Sequence, residues 1–492
     1  MPTQLEFNDS TIEGLFGRDA AEDENPSRLK EYYFKRSAYE QVTAESPLRI
    51  LVGHKGIGKS ALFTMAIAEN EEQKNLCILI RPNDIADLKI EQTDFLSRVR
   101  SWTQGLSNFI VHKILNYIGI RGKNLKDAMT EFEDYNLKII DFISDYLRPK
   151  FDSNSYDVSK QDSIKKFLET KKIAIYIDDL DRGWEGKGED IKRISALLNS
   201  VRDISRENNG IIFKISLRSD VYYLVRTSDE STDKIGTSVI WLSWTNHEIF
   251  ALLIKRMETY FGRTVDESVL MKTHQSELAR QYLSDVMQLR FTGIGKWENA
   301  PIHRILMSLI RKRPRDLVKL CTLAAKNARK RESSLIQTID FQSIFEEYSQ
   351  ERVQDTINEY RFELPEIDKL VMNMRPTRKE TNTQQGYVYK TDALLQKIQN
   401  ISKNHNFKFA DPKLVASPKE LAAFLYKINF LTARRETGDG KIIRKYFEEN
   451  RYLSSTSVDF GFDWEIHPAY RWALQPSDRD SIYKILDLIS DE

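Results

Sequence analysis

Cysteine is nearly missing from this chain: Cys77 and Cys321 are the two thiols in 492 residues, which leaves no disulfide framework and no cysteine cluster for zinc. The seven histidines are scattered, at no metal-ligand spacing from one another or from a cysteine, so no nuclease, protease or deaminase constellation is visible. No apolar run approaches the ~18 residues of a membrane-crossing helix, and the opening MPTQLEFNDSTIEGLFGRDAAEDEN lacks a basic start followed by an apolar core. The expectation is a soluble, cytoplasmic protein with no membrane partner. A dominant charge is missing too. With 74 Lys and Arg against 73 Asp and Glu, no global field draws the chain to nucleic acid, and any such binding must be local.

What is present is length enough for roughly two to four domains, and one dense motif. In RILVGHKGIGKSALF, residues 49–63, an apolar β-type run breaks into a loop containing Gly53, Gly56 and Gly58 and resumes as a helix. Gly53, four residues, then Gly58-Lys59-Ser60 is the spacing of a phosphate-binding loop between strand and helix. Glycines let backbone N–H groups turn inward without Cβ clashes, and the helix N-terminus adds its dipole. The loop residues Gly53, His54, Lys55, Gly56, Ile57, Gly58, Lys59, Ser60 and Ala61 are thus read as a nucleotide site. Lys59 reaches the β- and γ-phosphates and Ser60 ligates Mg²⁺, so the implied cofactors are ATP and Mg²⁺.

Residues 76–80 form a second strand candidate, and from about 90 to 168 the periodicity is helical, far longer than a strand-helix-strand crossover needs. This reads as a helical insertion. Next comes KKIAIYIDDLDRGW, a continuous apolar strand ending in Asp178, Asp179 and Asp181. Ligand sites of open α/β sheets lie at such carboxyl ends. Asp178 is placed to hold Mg²⁺, and Asp179 to orient the attacking water; the plain alternative for the trio is an acidic helix cap. A further strand, NGIIFKISLRSD, carries Arg218 to the γ-phosphate edge, or into a salt bridge with Asp181 or Asp220. Residues 238–244 close the sheet as a fifth strand.

Residues 1–47 read as a polar segment followed by a helix over 26–42, residues 48–245 as the nucleotide domain, and 246–373 as a helical lid. In the lid, Pro314 opens a helix, and Arg315 in its first turn points back toward the nucleotide. Arg311, Lys312, Arg313, Lys326, Arg329, Lys330 and Arg331 form its one dense basic stretch, read either as a solvated face or as a nucleic-acid or partner surface. Residues 374–390 look like a linker or surface loop. Helical stretches over 391–405 and 417–436 then precede two β-like runs, giving a winged-helix domain over 374–492. The fold class expected is α/β: a P-loop NTPase parallel sheet with a helical insertion, then a helical lid and a winged helix.

Four motifs, GHKGIGKSA (53–61), IYIDDLDR (175–182), ISLRSD (215–220) and RPRDL (313–317), resemble the KAP and STAND branches of P-loop ATPases, relatives of the AAA+ class. With FGRDAAED (16–23) and WEIHPAYR (464–471), the chain resembles more closely a bacterial P-loop ATPase family of unassigned biochemical role. The resemblance spans most of the chain and is specific at those motifs. It implies a metal role for Asp178, water activation by Asp179, and sensor roles for Arg218 and Arg315. It also implies a contact from His467 to the diphosphate of bound ADP, for which a core histidine is the competing reading. Unlike typical STAND proteins the chain has no repeat array, and unlike KAP proteins it has no membrane spans.

The function implied is an ATP-hydrolysing switch, a homo-oligomer coupled to a separate effector protein, with prokaryotic antiviral defence as a context supplied by the family association. The alternative is a DNA-binding initiator or repair ATPase, since ATPase, lid and winged helix in that order also serve origin recognition. A non-hydrolysing scaffold is disfavoured by the presence of both Asp178 and Asp179.

Overall fold

Strands buried on both faces read as near-continuous apolar runs, and five runs of this chain fit, interrupted only by Arg49, Lys214 and Ser216. They are Leu48–Val52 (β1), Leu76–Ile80 (β2), Ile173–Ile177 (β3), Ile211–Leu217 (β4) and Val239–Trp241 (β5). In the computed structural model they form one parallel sheet in the order β2-β3-β4-β1-β5. The fold is α/β with a five-stranded parallel sheet. The structure describes residues 5–18, 24–85, 94–135, 138–152, 158–228, 230–381, 386–438, 441–454, 461–475 and 479–490. The FGRDAAED stretch past Arg18, the start of the helical insertion at 90–93, the tip of the TGDGK turn at 439–440 and the β-like residues 458–460 lie outside them.

The chain divides into two compact units: Lys35–Lys55 with Lys59–Leu242, and Met1–Phe34 with Gly56–Gly58 and Ser243–Glu492. The first holds the sheet. Val52, at the end of β1, stands beside Leu217 of β4 and Trp241 of β5, so the loop that follows opens at the carboxyl edge of the sheet's centre. The chain from β1 runs to the far edge strand β2, returns through β3 and β4, then jumps β1 to reach β5. Such a reversal of strand order is where open α/β sheets place their ligands. Between β2 and β3 the described residues form the short helix Pro82–Ile85 and then the helices Phe95–Tyr117, Gly122–Glu133, Ile139–Asp152 and Gln161–Thr170. Phe95–Tyr117 packs on the helix Gly188–Glu207, with Leu106, Ile110 and Ile114 buried in the same core as the strands. At that contact Arg98 pairs with Glu189 at 2.9 Å.

The second unit is mainly helical. Its core gathers Phe7, Leu15 and Phe16 around the helices Asn246–Tyr260, Pro314–Lys330 and Thr338–Tyr360. Two features differ from the expected run of helices. The reading of 26–42 as one helix is corrected: Pro26–Tyr32 ends at an extended Tyr33, and Ser37–Thr43, which belongs to the sheet unit, starts afresh. A short antiparallel hairpin, Arg290–Thr292 (β6) with Glu298–Pro301 (β7), interrupts the lid stretch; strands of three and four residues are too brief to show a period of two.

A four-stranded sheet follows in the order β10-β9-β11-β8, from Val388–Tyr389 (β8), Leu431–Glu436 (β9), Ile442–Lys445 (β10) and Asp463–Ile466 (β11). β8 falls inside the expected linker. The expected helix over 417–436 is corrected as well: it stops at Lys427, and β9 begins four residues on. Asn429, in the left-handed region with φ of 58°, turns the chain between them, a conformation asparagine tolerates better than most residues. Among the described residues no helix is long and apolar enough to cross a membrane.

Candidate functional site

The 53–60 loop is built as its spacing requires. Gly53 continues the ladder, donating its N–H to Leu217 O at 3.2 Å, and the helix Lys59–Glu72 starts directly at the loop's end. Gly56 and Gly58 have φ of 79° and 102°, where a side chain is strained. The Lys59 ammonium folds back over the loop, donating to Gly53 O at 2.8 Å and His54 O at 3.2 Å. His54 is buried, with its Nδ1 3.1 Å from Ser219 Oγ, which fastens the loop to the chain just beyond β4. Lys55 is exposed, Ile57 is buried, and Ser60 and Ala61 are half-buried on the first turn of the helix.

Register brings the second group together. Ile177 of β3 stands beside Ile215 of β4, so the next residues, Asp178 and Ser216, meet at the strand ends, and the Ser216 hydroxyl donates to the Asp178 carboxylate. Asp178 also accepts the Asp179 N–H at 3.0 Å. Asp179 is exposed and holds a left-handed φ of 61°, a strained conformation of the kind found where function demands it. None of the three aspartates caps the following helix; Lys187 is its cap residue, and Asp190 takes the Glu185 and Lys187 N–H groups.

Arg218, which is 9 % exposed, forms a bidentate pair with Asp220 (Nε 3.1 Å, Nη2 2.6 Å) and lies 3.6 Å from Asp181. Burial pushes the Asp181 carboxyl above the usual range, against the pull of Arg218 and Lys59. Lys59, Asp181 and Arg218 are thus electrostatic neighbours in the sheet unit. Ser216 and Ser219 were not singled out from sequence; the register of the two acidic and basic strand ends is the signal that finds Ser216.

In the helical unit Arg315 lies against the loop tip. Its N–H points at Gly56 O (3.4 Å), and a Cβ placed on Gly56 would come within 3.2 Å of the Arg315 side chain. Trp244 Nε1 donates to Ile57 O at 2.8 Å. The basic stretch around Arg315 is not one continuous face. Arg311 and Arg313 are buried, paired with Asp316 and Glu359, while Lys312 meets Glu449 and Arg331 meets Asp340. His467 is 1 % exposed, with Nδ1 accepting the Ala469 N–H at 3.1 Å and Nε2 2.9 Å from Tyr446 Oη. Burial, with Arg444 and Arg311 nearby, holds its ring neutral, well below the usual histidine range.

The cations on and beside β9 and β10 divide in the same way. Arg434 pairs with Asp487 at 2.8 Å and Arg444 with Glu465 at 2.6 Å, both buried; Arg435 and Lys441 are exposed and Lys445 half-buried. Among the described residues no three His, Cys, Asp or Glu side chains converge on a possible metal position.

Residues 247–357 match a family model described as a FunZ-associated C-terminal helical domain. The chain is 23 % identical over 534 aligned residues to the putative transposon gamma-delta 80.3 kDa protein of Escherichia coli K12, covering 98 % of this chain and 71 % of that one. Solved structures with similarity include the Walker-type ATPase PABY2304 of Pyrococcus abyssi (TM-score 0.41, 11 % identity, 91 % of this chain and 95 % of that one). Another is the ORC2 protein of Aeropyrum pernix in its ADPNP-ADP complexes (TM-score 0.39, 12 % identity, 87 % and 89 %).

Proposed function

We propose that this chain binds and hydrolyses ATP at the 53–60 loop. The observation that carries the reading is the position of Lys59: a charged ammonium held on the carbonyls of a loop whose two left-handed glycines turn it into a cradle at the sheet's switch point. A bound triphosphate offers that ammonium a stronger, charge-assisted partner than the carbonyls. Ser60 and Asp178 would hold Mg²⁺, which when bound neutralises the charge of the β- and γ-phosphates. Ser216 keeps the Asp178 carboxylate turned toward the strand end. Asp179, exposed beside it, orients water and takes its proton. Arg218 exchanges part of its contact with Asp220 for the γ-phosphate, and the sensor role of Arg315, which rests on Gly56 within its own unit, follows from the motif resemblance.

In this reading the chain is a KAP- and STAND-like switch whose helical segment and C-terminal winged helix follow nucleotide state, with oligomerisation and a separate effector protein as further parts. Those parts rest on the motif resemblance. A role in prokaryotic antiviral defence rests on that resemblance alone. The DNA-initiator alternative loses support from Arg434 and Arg444, buried guanidiniums paired with the half-buried Asp487 and the buried Glu465.

Phosphate release from Mg-ATP tests the proposal. The wild-type protein should turn over, and a folded Lys59→Ala protein should be slower by ~10²-fold or more, as expected when a transition-state charge contact is removed. Equal rates would contradict it.

A further inference from the structure

Within the helical unit, residues 311–316, RKRPRD, are gripped from two directions. On one side Arg315 rests on Gly56. On the other, Asp316, the next residue of the same helical turn, points inward and accepts from Arg311 through its backbone N–H (3.1 Å), Nε (2.8 Å) and Nη2 (2.9 Å), and from Arg352 Nη1 (2.8 Å). Arg311 Nη1 continues the chain of contacts to Thr356 Oγ1 at 3.1 Å and Tyr470 Oη at 3.0 Å, and those two hydroxyls lie 3.0 Å apart. Between them, Lys312 has a left-handed φ of 51°, reaches Glu449 at 2.8 Å and sits 5.4 Å over the Tyr446 ring, whose hydroxyl meets His467. Tyr470 packs against Phe430, the residue before β9, at 4.9 Å between ring centres and a tilt of 39°.

We propose that this segment is a relay in which Arg315 follows occupancy of the phosphate loop, and Asp316 and Arg311 pass its displacement to Tyr470 and the β9–β11 strands. The relay rests on the nucleotide reading above. Arg315 and Asp316 share one helical turn, and the Arg315 backbone N–H faces Gly56 O, so a shift of that backbone carries Asp316 with it. Asp316 is held by buried, charge-assisted hydrogen bonds that lose their geometry within about half an ångström. Such a network tolerates little distortion, so a shift that reaches Asp316 carries on to Arg311 and Tyr470. Arg311, Asp316 and Tyr470 are positioning residues in this scheme; none contacts the nucleotide.

Hydrogen exchange of the full-length protein, with and without a non-hydrolysable Mg-ATP analogue, tests it. In wild type the amides of residues 463–471 should change their exchange about tenfold on binding, within the usual range of allosteric coupling. Tyr470→Phe removes the hydroxyl and keeps the ring on Phe430. It should still bind the analogue, yet show a change of less than about twofold, and Thr356→Val should behave alike. A general loss of packing would raise exchange in both states rather than abolish the difference. If wild type binds the analogue and residues 463–471 do not respond, or if Tyr470→Phe responds as wild type does, the relay is wrong and the nucleotide reading stands. If wild type binds no nucleotide, both fall.

Discussion

Ser216 donates its hydroxyl hydrogen to Asp178 across the ends of two neighbouring parallel strands. The contact fixes which way the carboxylate faces, and Ser216 is itself 1 % exposed, so no water can readily take its place. Ser216→Ala should therefore leave Mg-ATP affinity within about threefold and lower turnover by roughly tenfold, the scale of a lost orienting hydrogen bond. Parallel calorimetry and phosphate-release assays check this; a Ser216→Ala enzyme with wild-type turnover would show that Asp178 needs no such support.

Asp179 combines exposure with a left-handed backbone. Asparagine tolerates that conformation, so Asp179→Asn should fold with unchanged thermal stability and bind nucleotide normally. Its turnover should fall by ~10²-fold, as for loss of a general base. Normal turnover would move the role to another group.

Glu465 sits buried between Arg444 and Arg471. Burial works to raise its pKa, but the two guanidiniums outweigh it and bring the carboxyl down from 4.5 to about 2. A carboxyl depressed in the folded state contributes stability that is complete above its unfolded value and lost as the pH falls toward its folded value. Stability should therefore decline between about pH 4.5 and pH 2. Glu465→Gln should flatten that decline and cost about 3 kcal/mol at neutral pH, because two guanidiniums are left without their carboxylate. Urea titrations across this range decide the matter.

Arg434 and Arg435 are neighbours in sequence with opposite surroundings. Arg434→Ala should destabilise the protein by roughly 2 kcal/mol through loss of its contact with the half-buried Asp487, which Lys296 also pairs, without altering any affinity for duplex DNA. If the full-length chain does bind DNA, Arg435→Ala with Lys441→Ala is the pair that should weaken it and flatten its salt dependence. A dominant effect of Arg434→Ala on DNA binding at unchanged stability would restore the initiator alternative.

The strands of the parallel sheet were legible because continuous apolar runs end abruptly at Gly53, Arg81 and Asp178, and the observed bounds of β1 and β2 coincide with those expected. β9 was hidden because FLTARRE continues the apolar spacing of the helix before it, and the single left-handed residue Asn429 carries the break. The candidate site divides similarly. Lys59 and the loop glycines follow from local spacing, whereas Arg311 looked like one more surface cation: its ion-pair partner Asp316 is near in sequence, but Thr356 and Tyr470, which help to enclose it, lie 45 and 159 residues away. Long-range pairing of charges leaves no periodic trace in the chain.

Isothermal calorimetry of Mg-ATP against the wild-type protein and Lys59→Ala tests the central claim most directly. Wild type should bind one nucleotide per chain, and a Lys59→Ala protein with an unchanged circular dichroism spectrum should bind at least ~10-fold more weakly, because a charge-assisted contact to phosphate is lost. Equal affinity in the two folded proteins, or no heat of binding to wild type, would contradict the account.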